Sequence, residues 1–233
     1  MMTLYKKELS YYLNNPIGYI IVILFGIFAN FLFVKDIFVV GSASLRPFFN
    51  FLPWLFVVFI PAISMRILSE EERTNTIETL LTLPISETQI VVAKFLAVLS
   101  LVFVGLLLTL GLPISLSFVS KLYLPEILVG YSGALLLAAA YVGISMYFSS
   151  QTKNQVVAFL ASAIFLFIIT VMSSDFVAPV LPKFVMDALT YFSPQYHLDN
   201  FIKGVIDARS LVYFVSLTAL FLFFTVIDLK KRQ

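Results

Sequence analysis

The chain has 233 residues, 61% of them hydrophobic and 12% charged, with a net charge of +2, a mean hydropathy of +1.01 and no cysteine. Soluble domains carry about 25% charged residues, so this composition excludes an ordinary water-soluble globule and indicates a single all-α integral membrane domain over 1–233. So small a net charge gives no sign of a nucleic-acid partner, and without cysteine neither a disulfide nor a thiolate metal site can form.

The start, "MMTLYKKELSYYLNNP", is polar and aromatic, lacking the short apolar core and small-residue site of a cleavable leader, so none is expected. Tyr5, Leu9, Tyr12 and Leu13 recur there at helical spacing opposite Lys6, Lys7, Ser10 and Asn14. That pattern predicts an amphipathic elbow helix lying in the cytoplasmic interface and turning into the bilayer at Asn15 and Pro16.

A hydrocarbon core about 30 Å thick takes roughly 20 apolar residues in a helix. Six segments fit, at 16–34, 48–67, 90–112, 124–148, 156–172 and 211–227, the last two at the short end. Pro53 and Pro61 predict a kink in the second, and Pro125 suits the first turn of the fourth. Asn30 in the first span reads as a hydrogen-bonding partner of a neighbouring helix. The stripe Gly130, Ala134, Ala138, Ala139 and Gly143 in the fourth reads as close helix packing rather than a pore lining. Ionisable side chains avoid the middle of every span; Lys94 and Asp228 lie at span ends, where they can snorkel to water.

Between the second and third spans runs "RILSEEERTNTIETLLTLPISETQIVVAKF", where Arg66, Glu70, Glu71, Glu72, Arg73 and Glu78 crowd into a few turns of an otherwise apolar chain. Charge would carry this segment into water. Asn75 and Glu78 have capping-box spacing for a short helix near 76–83 stopped by Pro84, and Ser86 with Gln89 repeats the spacing at the start of the third span. Ile77, Leu80 and Leu81 would form an apolar face, with Glu72, Arg73 and Glu78 available to a partner's charges. The competing reading is an ordinary solvated loop.

Between the last two spans, "LPKFVMDALTYF" and "SPQYHLDNFIKGVID" read as two short outer amphipathic helices. Ser193 and Pro194 serve as N-cap and first residue of the second, with Leu198, Phe201, Ile202 and Val205 as its apolar stripe. His197, Asp199, Lys203 and Asp207 are the candidates for an outer gate or partner face, against the plainer reading that they wet the surface. Basic residues near span ends set orientation. Nine (6, 7, 66, 73, 94, 153, 230, 231 and 232) fall on one side and six on the other, which predicts both termini in the cytoplasm and an even number of crossings.

The absences narrow the function. No GxxxxGK[ST] loop is present, so nucleotide hydrolysis is not expected of this chain. The EExxxR pattern of CAAX-type membrane proteases fails, because Asn75 and Thr76 stand at the Arg positions. A single His cannot build a multi-His metal site.

The run "EEERTNTIETLLTLPISETQIVVAKF" resembles the cytoplasmic coupling segment of ABC-2-type transporter permeases: an acidic–basic run, then GT-x-E, LL, a proline, and a lysine in the next span. Thr76, Glu78, Leu80, Leu81, Pro84 and Lys94 fall at matching places, and Asn75 replaces the usual glycine. The tail "FSPQYHLDNFIKGVIDARSLVYF" is similar to the gliding-motility-associated and copper-enzyme-maturation permeases.

The resemblance implies a non-catalytic, multi-pass permease subunit of the bacterial inner membrane, an exporter. It would be paired with a second, identical or related permease chain and driven by a separate ATPase subunit, with a further partner on the periplasmic side. ATP and Mg would be held by that ATPase and no cofactor by this chain. Residues 72–78 with Leu80, Leu81 and Pro84, Thr74 among them, would then be the helix that docks on the ATPase. The alternative function is a membrane anchor or mechanical subunit of an ATPase-driven complex that moves no substrate.

Overall fold

The computed structural model describes residues 1–40, 44–77, 85–118, 122–172 and 190–231. Among the described residues the chain forms ten α-helices and no strand. They are α1 (Met2–Asn14), α2 (Pro16–Val40), α3 (Arg46–Ser64), α4 (Ser69–Arg73), α5 (Glu87–Leu107), α6 (Gly111–Ser117), α7 (Leu124–Ser150), α8 (Gln155–Val171), α9 (Pro194–Ile202) and α10 (Ala208–Lys230).

Cross-links fix which helix ends lie together. At one end, Glu8 of α1 and Glu71 of α4 meet Lys94 near the start of α5, and Glu72 lies 4.0 Å from Lys153, just after α7. At the other end, Arg46 at the start of α3 pairs with Glu126 at the start of α7, and the turn after α9 approaches the same Glu126. With Phe33 of α2 on Phe48 of α3, Ile169 of α8 beside Ser193, and Phe224 of α10 on Tyr147 of α7, the helices α2, α3, α5 with α6, α7, α8 and α10 run from end to end in alternating directions.

Length sorts them. The continuous or nearly continuous runs Arg46–Arg73, Glu87–Ser117, Leu124–Ser150 and Ala208–Lys230 are long and apolar enough to cross a bilayer. The pair α1 and α2, bent by 71°, would make a fifth if taken as one span. With 17 residues α8 reaches only about 26 Å, short of a full hydrocarbon core.

Two prolines inside α3 do not end it; the helix stops three residues after Pro61, where Met65 N–H bonds the Pro61 carbonyl. The other long break, between α5 and α6, has its freed polar groups answered from neighbours. Asn30 Nδ2 reaches the Leu108 carbonyl at 3.4 Å, as well as Gly26 in its own helix, and the Thr109 hydroxyl meets Tyr131 at 2.9 Å.

The core centres on α7, which packs against α3, α5, α8, α9 and α10. In lipid, helices associate through close packing rather than water exclusion, and the small residues of α7 make that possible. A Cβ at Gly130 would sit 2.5 Å from the Phe49 ring, and one at Gly133 2.5 Å from Phe201. Gly130, Ala134, Ala138 and Gly143 are buried as the stripe predicts. Only 17% of the apolar window of α10 is buried within the chain, against 56% to 61% for the other three long spans, so α10 lies on the periphery.

Candidate functional site: the charged end of the bundle

The break between α3 and α4 frees backbone groups that a membrane interior could not hydrate. One side chain from α7 satisfies most of them. The buried Ser149 hydroxyl accepts from the Leu68 and Ser69 amides, both at 3.2 Å, and donates to the Met65 carbonyl at 3.0 Å. The Ser69 hydroxyl also donates to Met65. The charged segment thus leaves the bundle at a break held by α7.

Asn75 ends α4. Its φ is +53°, in the left-handed region, while its N–H bonds the Glu72 carbonyl at 3.3 Å and the Thr76 N–H bonds the Glu71 carbonyl at 3.0 Å. These two bonds define a Schellman motif, in which glycine or asparagine is favoured because either tolerates positive φ. This corrects the expectation that Asn75 opens a helix as N-cap: that role takes an extended backbone. It also gives a reason why asparagine can stand where the resembled motif has glycine. The remainder of the expected helix, with Glu78, Leu80, Leu81 and Pro84, lies outside the described residues. The next cap matches expectation in full: Ser86 and Gln89 form both bonds of a capping box at the start of α5.

The acidic run is less exposed than its composition suggests. Glu71 and Glu8 both accept from Lys94 Nζ, at 2.7 and 3.0 Å, and the lysine side chain is only 2% exposed. Contrary to expectation, Lys94 does not snorkel to water; it is held inside by two carboxylates from α1 and α4. Glu72 is buried, with its carboxylate 4.0 Å from Lys153. Ile77 is buried too, within the main core, so it supplies no free docking face. Arg73, Thr74, Asn75 and Thr76 are exposed.

Tyr12 of α1 is buried and donates to the Ile63 carbonyl at 3.2 Å, Tyr5 meets Ser100 of α5 at 3.0 Å, and Leu9 is half-buried. Leu13, the fourth residue of the expected stripe, is exposed, while Leu4 is buried in its place. The stripe is real, but much of it packs on α3 and α5. Glu8, not singled out from the sequence, falls on the same face as Tyr5 and Tyr12. A carboxylate inside an apolar stripe was the only readable hint that Glu8 has a buried partner; that partner, Lys94, lies 86 positions away.

At the opposite end, the N-cap reading of Ser193 with Pro194 is met: the Ser193 hydroxyl accepts from the Gln195 amide, and Leu198, Phe201 and Ile202 are buried. Val205 is exposed, because α9 stops at Ile202 and turns through Gly204 at φ +77°. The first of the two outer helices, at 181–192, lies outside the described residues except for 190–192.

The candidate gate residues separate. His197 is buried: its ring stacks on Tyr213 at 4.0 Å, Nε2–H donates to the Tyr191 carbonyl at 2.9 Å, and Nδ1 meets the Ser210 hydroxyl at 3.2 Å. That inward position, rather than a partner face, is the correction. Burial lowers its pKa, opposed by the Tyr191 carbonyl and Asp207, so the ring stays neutral to lower pH than usual. Asp207 caps α10 through the Arg209 amide and receives Asn200 Nδ2, joining the same network. Asp199 is half-buried, with its pKa raised by burial against the pull of Lys203. Lys203, as C-cap of α9, is exposed.

A family model described as "ABC-2 family transporter protein" matches residues 38–229, from the end of α2 to the last turn of α10. No curated protein matches the chain.

Proposed function

The chain belongs to the ABC-2 transporter family and is a multi-pass membrane permease subunit of an ABC transporter; on that premise we propose that its charged segment, 69–84, couples it to the ATP hydrolysis of a separate ATPase subunit. The observation that carries the proposal is the build of this segment. It leaves the bundle at the Ser149-held break, turns at Asn75, presents Arg73 to Thr76, and is tied through Glu71 to the start of α5 and to α1. A push on it reaches α5 and the N-terminal helix through short, partly buried ionic contacts at Lys94, and α7 through the Ser149 hydroxyl. Leu80 and Leu81 supply the apolar docking face, and Glu78 a carboxylate for the partner.

In this reading all six end-to-end helices cross the bilayer, with both termini and the charged end in the cytoplasm of a bacterial inner membrane. The α1 helix is the elbow, and the peripheral α10 offers a surface to a second permease chain. ATP and Mg sit in the ATPase, the direction is export, and the subgroup is that of gliding-motility-associated or copper-enzyme-maturation permeases. Co-purification with the ATPase tests the coupling. Glu78→Lys should insert normally yet lose ATPase association or its stimulation, because an interfacial charge left without its mate costs about 2–5 kcal/mol. Arg209→Glu, exposed at the opposite end, should change neither. Full association and activity in Glu78→Lys would reduce the segment to a solvated loop.

A further inference from the structure

Beside the Lys94 ion pairs lies a cavity of about 250 Å³ whose charged lining is Lys7, Arg66 and Lys94 against Glu8, Glu70 and Glu71. The formal charges cancel, but the partnerships do not. Lys94 is matched by two carboxylates, and Glu70 accepts from the Tyr11 hydroxyl at 3.0 Å. Arg66 Nε and Glu71 Oε2 are buried with no hydrogen-bond partner among the described residues. A buried guanidinium nitrogen and a carboxylate oxygen, both unpaired and on residues lining one cavity, each forgo a strong charge-assisted bond.

The cavity continues into apolar surroundings. Tyr11, Tyr12 and Arg66 also line a second groove at the bend between α1 and α2, whose other walls include Gly18, Ile21, Ala62 and Ile63. Ile63 in turn lines a third, wholly apolar groove between α2, α3 and α5. Gly18 keeps the bend tight: a Cβ there would stand 2.3 Å from the Tyr12 carbonyl oxygen. The charged cavity thus shares walls with one shallow apolar cleft, which in turn shares Ile63 with a second, each of about 10 Å³.

We propose that this site binds a phospholipid whose headgroup ammonium keeps an N–H, phosphatidylethanolamine in type: Arg66, with Lys7, holds the phosphate, Glu71 Oε2 accepts from the ammonium, and the acyl chains stay in the surrounding lipid beside α1 and α2. The planar fork of arginine matches phosphate oxygens. A zwitterion leaves the balanced charge of the chamber unchanged, whereas an anionic lipid would bring surplus negative charge and leave Glu71 Oε2 unanswered. A choline headgroup has no N–H to give that oxygen. The proposal needs the chain to sit in a bilayer but does not depend on the coupling role of residues 69–84, so the two can fail separately.

The test is lipid retention by the full chain, delipidated in detergent and titrated under native mass spectrometry with phosphatidylethanolamine, its mono-, di- and trimethylated forms, and phosphatidylglycerol. Retention should hold through the mono- and dimethylated forms, which keep an N–H, and fall by about tenfold or more at the trimethylated form, the scale of one hydrogen bond to a charged group. Arg66→Gln should weaken every phospholipid, and Glu71→Gln should remove only the preference over the trimethylated form. The methylation series uses unaltered protein, so it decides even if a variant fails to fold. Equal retention across the series, phosphatidylglycerol bound best, or full displacement of the lipid by free phosphoethanolamine would each overturn the proposal, the last by showing a soluble phosphate ligand instead.

Discussion

A lysine ammonium that is 2% exposed near the start of an apolar helix persists only with its charge matched, and Glu71 and Glu8 do so at 2.7 and 3.0 Å. Removing the cation leaves two largely buried carboxylates facing the same space. Lys94→Met should therefore destabilise the protein by about 3–5 kcal/mol, the usual penalty for breaking a buried pair from one side, read as a lower unfolding temperature in detergent. Adding Glu71→Gln should recover part of the loss, since one unpaired charge goes with it. An unfolding temperature unchanged by Lys94→Met would mean that the ion pairs do not hold α1 and α4 to α5. The sequence placed Lys94 at a span end, where it could snorkel. It did not reveal that Glu8 and Glu71 answer it, because those residues lie 86 and 23 positions away, and no local spacing records such a meeting.

Helix ends were legible where one side chain has one local role. Ser86 with Gln89, and Ser193 with Pro194, behave as their spacing predicts because capping geometry is closed within four residues. Asn75 misled because asparagine serves both as an N-cap and as a left-handed residue after a helix, and only its φ of +53° separates the roles. Asn75→Gly should accordingly leave α4 intact. Asn75→Val, forced into the same region with a branched Cβ, should cost about 1–2 kcal/mol and speed amide exchange across 69–77. Equal exchange in all three proteins would deny the left-handed turn. The break between α3 and α4 was not legible at all, since the hydroxyl that satisfies it comes from Ser149, about 80 positions later.

For the molecule as a whole, hydropathy located the four helices long and apolar enough to cross a bilayer, or five if α1 and α2 count as one span, because each rests on a sustained apolar run. Residue-level sites were harder to read, because His197, Glu72 and Ile77 are polar, charged or apolar in ways that suit either a surface or an interior, and packing sent all three inward. The topology has a direct check, since the native chain lacks cysteine. Single cysteines at Ser44 and Thr74, at opposite ends of α3 and α4, should label from opposite sides of the membrane, Ser44 from outside. Outside labelling at Thr74 would reverse the orientation. The central claim is that this permease spends no nucleotide itself and passes on the work of another chain. Its most direct test is nucleotide hydrolysis in proteoliposomes containing the purified chain, the purified ATPase, or both. The account expects no hydrolysis from the chain alone and a rate in the reconstituted pair that exceeds that of the ATPase alone. Hydrolysis by the chain alone, or an ATPase that neither binds it nor changes rate in its presence, would contradict it.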